Sequence, residues 1–186
     1  ILEPIQGEHD ITLIADEIQS GLGRTGEWWA SEHYPFEPDV ITSAKGLRVG
    51  ATISDRDVFP EEKSRLSSTW GAGDVIAATQ GALTIDAIAE HDLLDNATER
   101  GRQFQETLCD ADLDGITSVR GKGLMLGIDF ENPELRDDVV AAAFDRGLLL
   151  LACGYQTLRV LPPMDVTERE IELGANLLIE AVESVN

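Results

Sequence analysis

Short apolar runs alternate with longer stretches of helical periodicity along most of the chain. Ile11 to Ala15 is an apolar run ending in Asp16 and Glu17, as a buried parallel strand does before its loop. The segment Gly21-Leu22-Gly23-Arg24-Thr25-Gly26 is too rich in turn residues for a regular element. Trp28 to His33 predicts a short helix, and Asp39 to Thr42 and Val49 to Ile53 predict strands. From Asp74 to Ala89 the apolar positions fall at helical spacing, with Asp74 near the N-terminus, and a second helix follows from Leu94 to Leu108. Beyond it, Ile116 to Val119 and Leu124 to Phe130 predict strands, and Pro133 to Arg146 a helix. Leu148 to Ala152 and Leu158 to Leu161 predict two more strands. Thr167 to Val185 closes the chain as a helix, with Thr167 as N-cap and Glu170 completing a capping box.

Strands alternating with helices predict an α/β protein. The Asp74 helix is expected to link a larger, mostly parallel sheet (residues 1–90) to a small C-terminal α/β domain (residues 91–186). One junction is physically awkward. Leu2 to Ile5 and Ile11 to Ala15 both read as buried strands, with only a few residues around Gly7 between them. Adjacent parallel strands need a crossover of about a dozen residues, and Gln6 to Ile11 spans at most roughly 20 Å when extended. Either the two strands form a hairpin, or a crossover helix is missing from this sequence; the second is expected.

Composition narrows the function classes. Hydrophobic residues at 42% and charged residues at 26% describe an ordinary globular chain. Its formal charge of −21, from 35 acidic and 14 basic residues, repels nucleic acid and anionic lipid, so neither is an expected partner. The acids are spread through predicted helices, a pattern that suggests adaptation to high salt, with an acidic mesophilic protein as the alternative. No apolar run approaches the roughly 18 to 20 residues of a membrane span, and no signal peptide opens the chain. A cytoplasmic location is therefore expected. Ile1 lies inside a predicted strand and no initiator Met precedes it, so the true N-terminus is expected elsewhere. Cys109 and Cys153 are expected to be free thiols. His9, His33 and His91 lack metal-ligand spacing and read as surface or capping residues.

Lys45 follows a predicted strand between small neighbours, Ala44 and Gly46. By itself it would be a solvated surface charge. Asp16, 29 residues earlier and also at a strand end, changes that view. A Schiff-base lysine and an acid for the pyridinium nitrogen are the two groups that pyridoxal phosphate demands, and a lysine amine is readily tuned by burial and neighbours.

LIADEIQSGLGRTG, from Leu13 to Gly26, resembles the signature of the class III pyridoxal-phosphate aminotransferases. DVITSAKGL, from Asp39 to Leu47, is similar to their cofactor-lysine segment, and LEPIQGE, SSTWGAG, VRGKGLMLGI and LRVLPP match further stations in order. The resemblance implies a fold-type I enzyme, represented by the later part of its large domain and its small C-terminal domain. It implies that Asp16 pairs with the pyridinium nitrogen, that Gln19 hydrogen-bonds the ring's phenolic oxygen, and that Lys45 holds the cofactor and then shuttles the substrate proton. Thr69 would bind the phosphate across the interface of a homodimer. Arg159 would grip a substrate carboxylate through a bidentate fork, with Glu8 as the acid that pairs with it in 4-aminobutyrate-type members. The implied reaction moves an amino group from an ω-amino acid to a 2-oxo acid such as 2-oxoglutarate, with 4-aminobutyrate aminotransferase as the most similar member type. Alternatives are lysine 6-aminotransferase, a racemase of the same family, or a non-catalytic truncated remnant. Singly, Asp16, Gln19, Thr69 and Arg159 could each be a cap or a surface residue, and Trp28, Trp29 and Trp70 read as packing residues.

The sequence departs from the family pattern in several places. It lacks the helical crossover between the QGE and LIADE segments, which leaves Glu8 at the join. It has Gly46-Leu47-Arg48-Val49-Gly50 where a glycine run is common, and Gly71-Ala72-Gly73-Asp74 in place of Gly-Gly-Asn-Pro. The half of the family that supplies the phosphate loop and the ring-stacking aromatic is not represented. The charge pattern carries a prediction of its own. At about 1 M salt the Debye length falls to about 3 Å, so the melting temperature is expected to rise between low and molar KCl, as read by a thermal melt.

Overall fold

The structure, a computed structural model, describes residues 11–62, 71 and 73–185. The chain forms two compact units, Ile1–Asp92 and Leu93–Asn186. The predicted strand from Leu2 to Ile5 and the junction near Gly7 lie outside the described residues.

In the first unit, β1 (Ile14–Asp16) pairs in parallel with β2 (Val40–Ser43), and β2 pairs antiparallel with β3 (Ala51–Ser54). Asp39 ties the start of the parallel pair from both sides. Its backbone N–H donates to the Leu13 carbonyl at 2.9 Å, and its Oδ2 accepts from the Leu13 N–H at 2.7 Å. The sequence led us to expect a mostly parallel sheet; β3 runs the other way because only residues 44–50 join it to β2, too few for a crossover. Helix α1 (Val75–Glu90) starts where Asp74 Oδ1 accepts from the N–H groups of Ile76 and Ala77, at 2.9 and 3.2 Å. Val75, Ile76 and Leu83 on this helix are 75%, 74% and 62% exposed, so α1 presents apolar side chains to solvent where a surface helix would present polar ones.

The second unit starts with helix α2 (Leu93–Asp110) and carries an all-antiparallel sheet. Its strands are β4 (Ile116–Lys122), β5 (Met125–Phe130), β6 (Leu151–Cys153) and β7 (Thr157–Val160), in the order β4-β5-β7-β6. Helices α3 (Pro133–Asp145) and α4 (Glu168–Glu183) complete it. Strand alternation sends Leu126, Ile128 and Phe130 of β5, and Leu158 and Val160 of β7, to one face. There they form the core with Phe104 and Leu108 of α2, Val139 and Ala143 of α3, and Ile171 and Leu178 of α4. Helix α3 is capped by Asn132, whose Oδ1 accepts from the Leu135 N–H at 2.8 Å, with Pro133 at the first helical position. Helix α4 carries the expected capping box. The Thr167 hydroxyl accepts from the Glu170 N–H, and the Glu170 carboxylate accepts from the Thr167 N–H at 2.8 Å. Both cysteines are free, and no helix among the described residues is long and apolar enough to cross a membrane.

The closest approach in this unit is backbone against backbone. A Cβ on Gly101 of α2 would lie 1.9 Å from the carbonyl oxygen of Gly123, in the β4–β5 turn. Gly174 of α4 has nothing nearer than Leu148 Cδ1, at 4.0 Å. Gly101→Ala is therefore expected to destabilise the protein by about 3 kcal/mol or more through overpacking. Gly174→Ala should be neutral or stabilise it by about 0.5–1 kcal/mol. Urea unfolding of the two variants checks both.

Candidate active site

The parallel pair β1–β2 delivers two loops to one edge of the first sheet, at the C-terminal ends of the strands, where open α/β sheets bind ligands. Asp16 is the last residue of β1 and lies opposite Thr42 of β2. Its Oδ1 accepts from the Thr42 hydroxyl at 3.0 Å and from the Ile18 N–H at 3.2 Å. Lys45 lies two residues past the end of β2, and its backbone N–H donates to the Ile18 carbonyl at 3.3 Å. The acid and the amine thus occupy neighbouring, hydrogen-bonded chain ends. Lys45 is exposed, beside an open depression lined by Ala44, Arg48, Val49, Gly50 and Gln80. Among the described residues its amine forms no ion pair or hydrogen bond.

Close packing fixes the Lys45 loop on both sides. Leu22, buried in the preceding turn with φ of 55°, has its Cβ 3.3 Å from where a Cβ on Gly46 would stand. On the other side, a Cβ on Gly81 of α1 would lie 3.0 Å from the Leu47 carbonyl oxygen and 3.2 Å from Val49 Cγ1. Glu17 locks the loop after β1. Only 4% exposed, it accepts from the Ser31 N–H at 2.8 Å through Oε1 and from the Ser20 hydroxyl at 2.5 Å through Oε2. Its own N–H donates to the Thr42 carbonyl at 3.0 Å. Gln19 lies half-buried in the turn that Glu17 secures, and Trp29 packs its ring over Gly21. Arg24, in the same Gly-rich turn, has its pKa lowered by burial.

Arg159 belongs to the second unit. It stands on β7 opposite Gly127 of β5 and Leu151 of β6, on the sheet face turned away from the core. It also borders an apolar cavity of about 310 Å³ whose walls include Leu148, Leu150, Pro162, Ile171 and Leu178. On the same sheet face Asp129 is held by Arg120. Arg120 Nε donates to Oδ2 at 3.0 Å and Nη2 to Oδ1 at 3.1 Å, while the Thr157 hydroxyl donates to Oδ1 at 2.5 Å. These hydrogen bonds, that of Arg120 first, hold the Asp129 carboxyl below the usual carboxylate range. Glu8 and Thr69 lie outside the described residues, as does Trp70.

The aminotransferase class-III family model matches residues 1–182. The chain belongs to the class III aminotransferase family. An acetylornithine aminotransferase of Synechocystis sp. is 36% identical, over 97% of this chain and 49% of that protein. An acetylornithine aminotransferase of Bacillus subtilis is 36% identical over 94% of this chain and 46% of its own length. Among solved structures, a lysine aminotransferase from M. tuberculosis superposes with a TM-score of 0.91 at 28% identity, covering 100% of this chain and 44% of that one. An ornithine δ-aminotransferase of Plasmodium falciparum gives 0.87 at 28%, covering 98% and 49%. The chain therefore spans about half the length of the curated relatives it matches. With the family comes the partial fold-type I architecture and the cofactor, pyridoxal phosphate.

The geometry of the first unit fits that cofactor. One oxygen of Asp16 is committed to the protein and the other makes no hydrogen bond among the described residues, which leaves an acceptor for a ring nitrogen. The Lys45 amine stands at the same edge. Three features escaped the sequence reading: Thr42 as the partner of Asp16, Glu17 as the lock of the turn, and the Arg120–Asp129–Thr157 group. Glu17 had one usable signal, because strand alternation sends it to the face opposite its exposed neighbour Asp16. Glu17→Ala strands the buried Ser31 N–H. It is expected to cost about 2–3 kcal/mol, read by denaturant unfolding, and to speed hydrogen exchange at the Ser31 amide.

Proposed function

We propose that the intact protein transfers the terminal amino group of an ω-amino acid to a 2-oxo acid such as 2-oxoglutarate. The observation that carries this reading is the placement of Asp16 and Lys45 at the ends of adjacent parallel strands, with the Lys45 N–H bonded to the Ile18 carbonyl. Pyridoxal phosphate, when bound, supplies a ring that draws electrons from the amine-bearing carbon. The Asp16 carboxylate keeps the ring nitrogen protonated, and its hold on Thr42 and Ile18 fixes its direction. Gln19 donates to the phenolic oxygen. With the cofactor bound, the Lys45 amine would hold it and would serve as the base that moves the proton of the amine-bearing carbon. Arg159 grips a substrate carboxylate; Glu8 is its pairing acid, and Thr69 binds the phosphate from the other subunit of a homodimer.

For the donor, the names of the relatives and structural neighbours favour acetylornithine, ornithine or lysine over 4-aminobutyrate. The shared feature is an amine at the end of an aliphatic chain whose other end carries a carboxylate. We retain a cytoplasmic, salt-adapted homodimer as part of the proposal, on the charge of −21 and the resemblance of the SSTWGAG segment.

The test is transamination by the intact protein of 2-oxoglutarate with N-acetylornithine, ornithine, lysine and 4-aminobutyrate in parallel. Lys45→Ala should lower kcat by about 10²–10⁴ and abolish the lysine–cofactor adduct that borohydride traps. A borohydride-trapped lysine adduct in the Lys45→Ala protein would falsify the assignment. Arg159→Lys, which keeps the charge and loses the planar fork, should raise KM for 2-oxoglutarate about tenfold while the cofactor stays bound.

A further inference from the structure

The loop after Lys45 contains a residue whose backbone is unfavourable for its side chain. Arg48 has a φ of 65°, in the left-handed region that crowds any residue with a Cβ. It stands in the segment Gly46-Leu47-Arg48-Val49-Gly50, where the family pattern commonly carries glycines that adopt this conformation readily. The conformation is imposed from both sides. Leu47 and Val49 are seated on α1, with the Leu47 carbonyl oxygen 3.0 Å and Val49 Cγ1 3.2 Å from where a Cβ on Gly81 would stand. The Arg48 N–H closes the turn by donating to the Lys45 carbonyl at 3.4 Å. Strain held in place by neighbouring contacts, beside a candidate cofactor lysine, points to a functional position.

Arg48 lines the open depression of about 350 Å³ beside Lys45, together with Ala44, Val49, Gly50 and Gln80. Lys45 and Arg48 are cationic, and no carboxylate lines the depression, in a chain with 35 acidic and 14 basic residues. Among the described residues, the Arg48 guanidinium and the Gln80 side-chain amide form no hydrogen bond or ion pair. Arg48 is exposed, and a Cβ on Gly50 would meet nothing within 4 Å, so the depression is open to an incoming group. A locally positive spot of this kind suits an anion.

We propose that Arg48 is a cofactor-binding residue that clamps the phosphate of pyridoxal phosphate from the lysine's own loop. The proposal rests on the reading of Asp16, Gln19 and Lys45 as the groups that hold the ring. In this cofactor the aldehyde carbon lies para to the ring nitrogen. The phenolic oxygen sits on one neighbouring ring carbon and the phosphate arm on the other. With the nitrogen at Asp16, the aldehyde carbon at Lys45 and the phenolic oxygen at Gln19, the phosphate lies on the flank of Lys45 away from the turn after β1. No residue of that turn lines the depression that Arg48 borders. A guanidinium offers a planar fork from which two phosphate oxygens accept, which an ammonium does not. Thr69 is the phosphate residue implied from the other subunit, and Arg48 adds the positive charge that its hydroxyl lacks.

The experiment titrates the intact protein, freed of cofactor, with pyridoxal phosphate and with pyridoxal, which lacks the phosphate, and follows absorbance. Arg48→Gln should raise Kd for pyridoxal phosphate about ten- to hundredfold and leave Kd for pyridoxal within about twofold. Arg48→Lys keeps the charge and should recover part of the loss. Arg48→Gly relieves the backbone and should raise the melting temperature of the cofactor-free protein by about 2 °C. It should nevertheless bind pyridoxal phosphate as weakly as Arg48→Gln, a combination that a merely structural arginine would not give. Should Arg48→Gln not fold, Arg48→Gly carries the test. An unchanged Kd for pyridoxal phosphate in these variants overturns the proposal. So does an equal rise for both ligands, which marks a damaged loop. A raised KM for 2-oxoglutarate with unchanged cofactor affinity also overturns it, by moving Arg48 to the substrate. Borohydride trapping in Lys45→Ala tests the underlying reading separately. Loss of the adduct keeps that reading whatever the Arg48 variants show, and its retention overturns both.

Discussion

Parallel pairing of β1 with β2 brings a carboxylate and an amine to one sheet edge, and the way Asp16 is held there governs the candidate site. Opposite charges on neighbouring chain ends tend to neutralise each other, and a collapsed Asp16–Lys45 pair would serve no cofactor. Here Asp16 is anchored by a hydroxyl and a backbone amide, Thr42 and Ile18. Lys45 is anchored by its backbone, and its amine stays out of any ion pair among the described residues. Hydrogen bonds set the direction of the acid, and main-chain bonding sets the position of the lysine. Each remains free to face a third body. The buried Glu17 and the tight contacts at Gly46 and Gly81 then hold the two loops that carry them.

The second unit solves a related problem with different means. Its all-antiparallel sheet places polar side chains on the face away from the core, and long arginines on such a face find any carboxylate within reach. Arg120 and Thr157 saturate Asp129, so the distribution of charge along the row is fixed before any ligand arrives. In a chain with 35 acidic and 14 basic residues, each guanidinium has many possible partners, and pairing has to be directed by register.

What could be read from the sequence was what depends on local order. Asp74, Thr167 and Glu170 act as caps because their partners lie two or three residues away; the Thr167–Glu170 box was expected from the sequence alone, and Asp74 was expected near the start of its helix. The strand ends at Asp16 and before Lys45 were legible for the same reason. What depends on cross-strand register was not legible. Thr42 meets Asp16 only once β1 and β2 are aligned, and Arg120 reaches Asp129 across a hairpin whose irregularity between Ile116 and Ser118 no apolar pattern reports. The predicted strand from Leu148 to Ala152 shrank to Leu151–Cys153 for a physical reason. Leu148 instead closes the end of α3, its N–H donating to the Ala143 carbonyl at 2.9 Å just after Gly147 turns at a φ of 83°. The direction of β3 followed from loop length, a signal that was present but not used.

The contact between Gly101 and Gly123 has a mechanical consequence. Where two backbones touch with no side chain between them, neither element can slide along the other, because every neighbouring position carries atoms that would collide. Helix α2 and the β4–β5 turn are engaged like a tooth in a slot, and any side chain at residue 101 would push them apart. Arg120, Gly127 and Asp129 sit on the two strands that this turn joins, and Arg159 on the strand beside them. The contact therefore fixes where α2 meets the turn that joins these two strands.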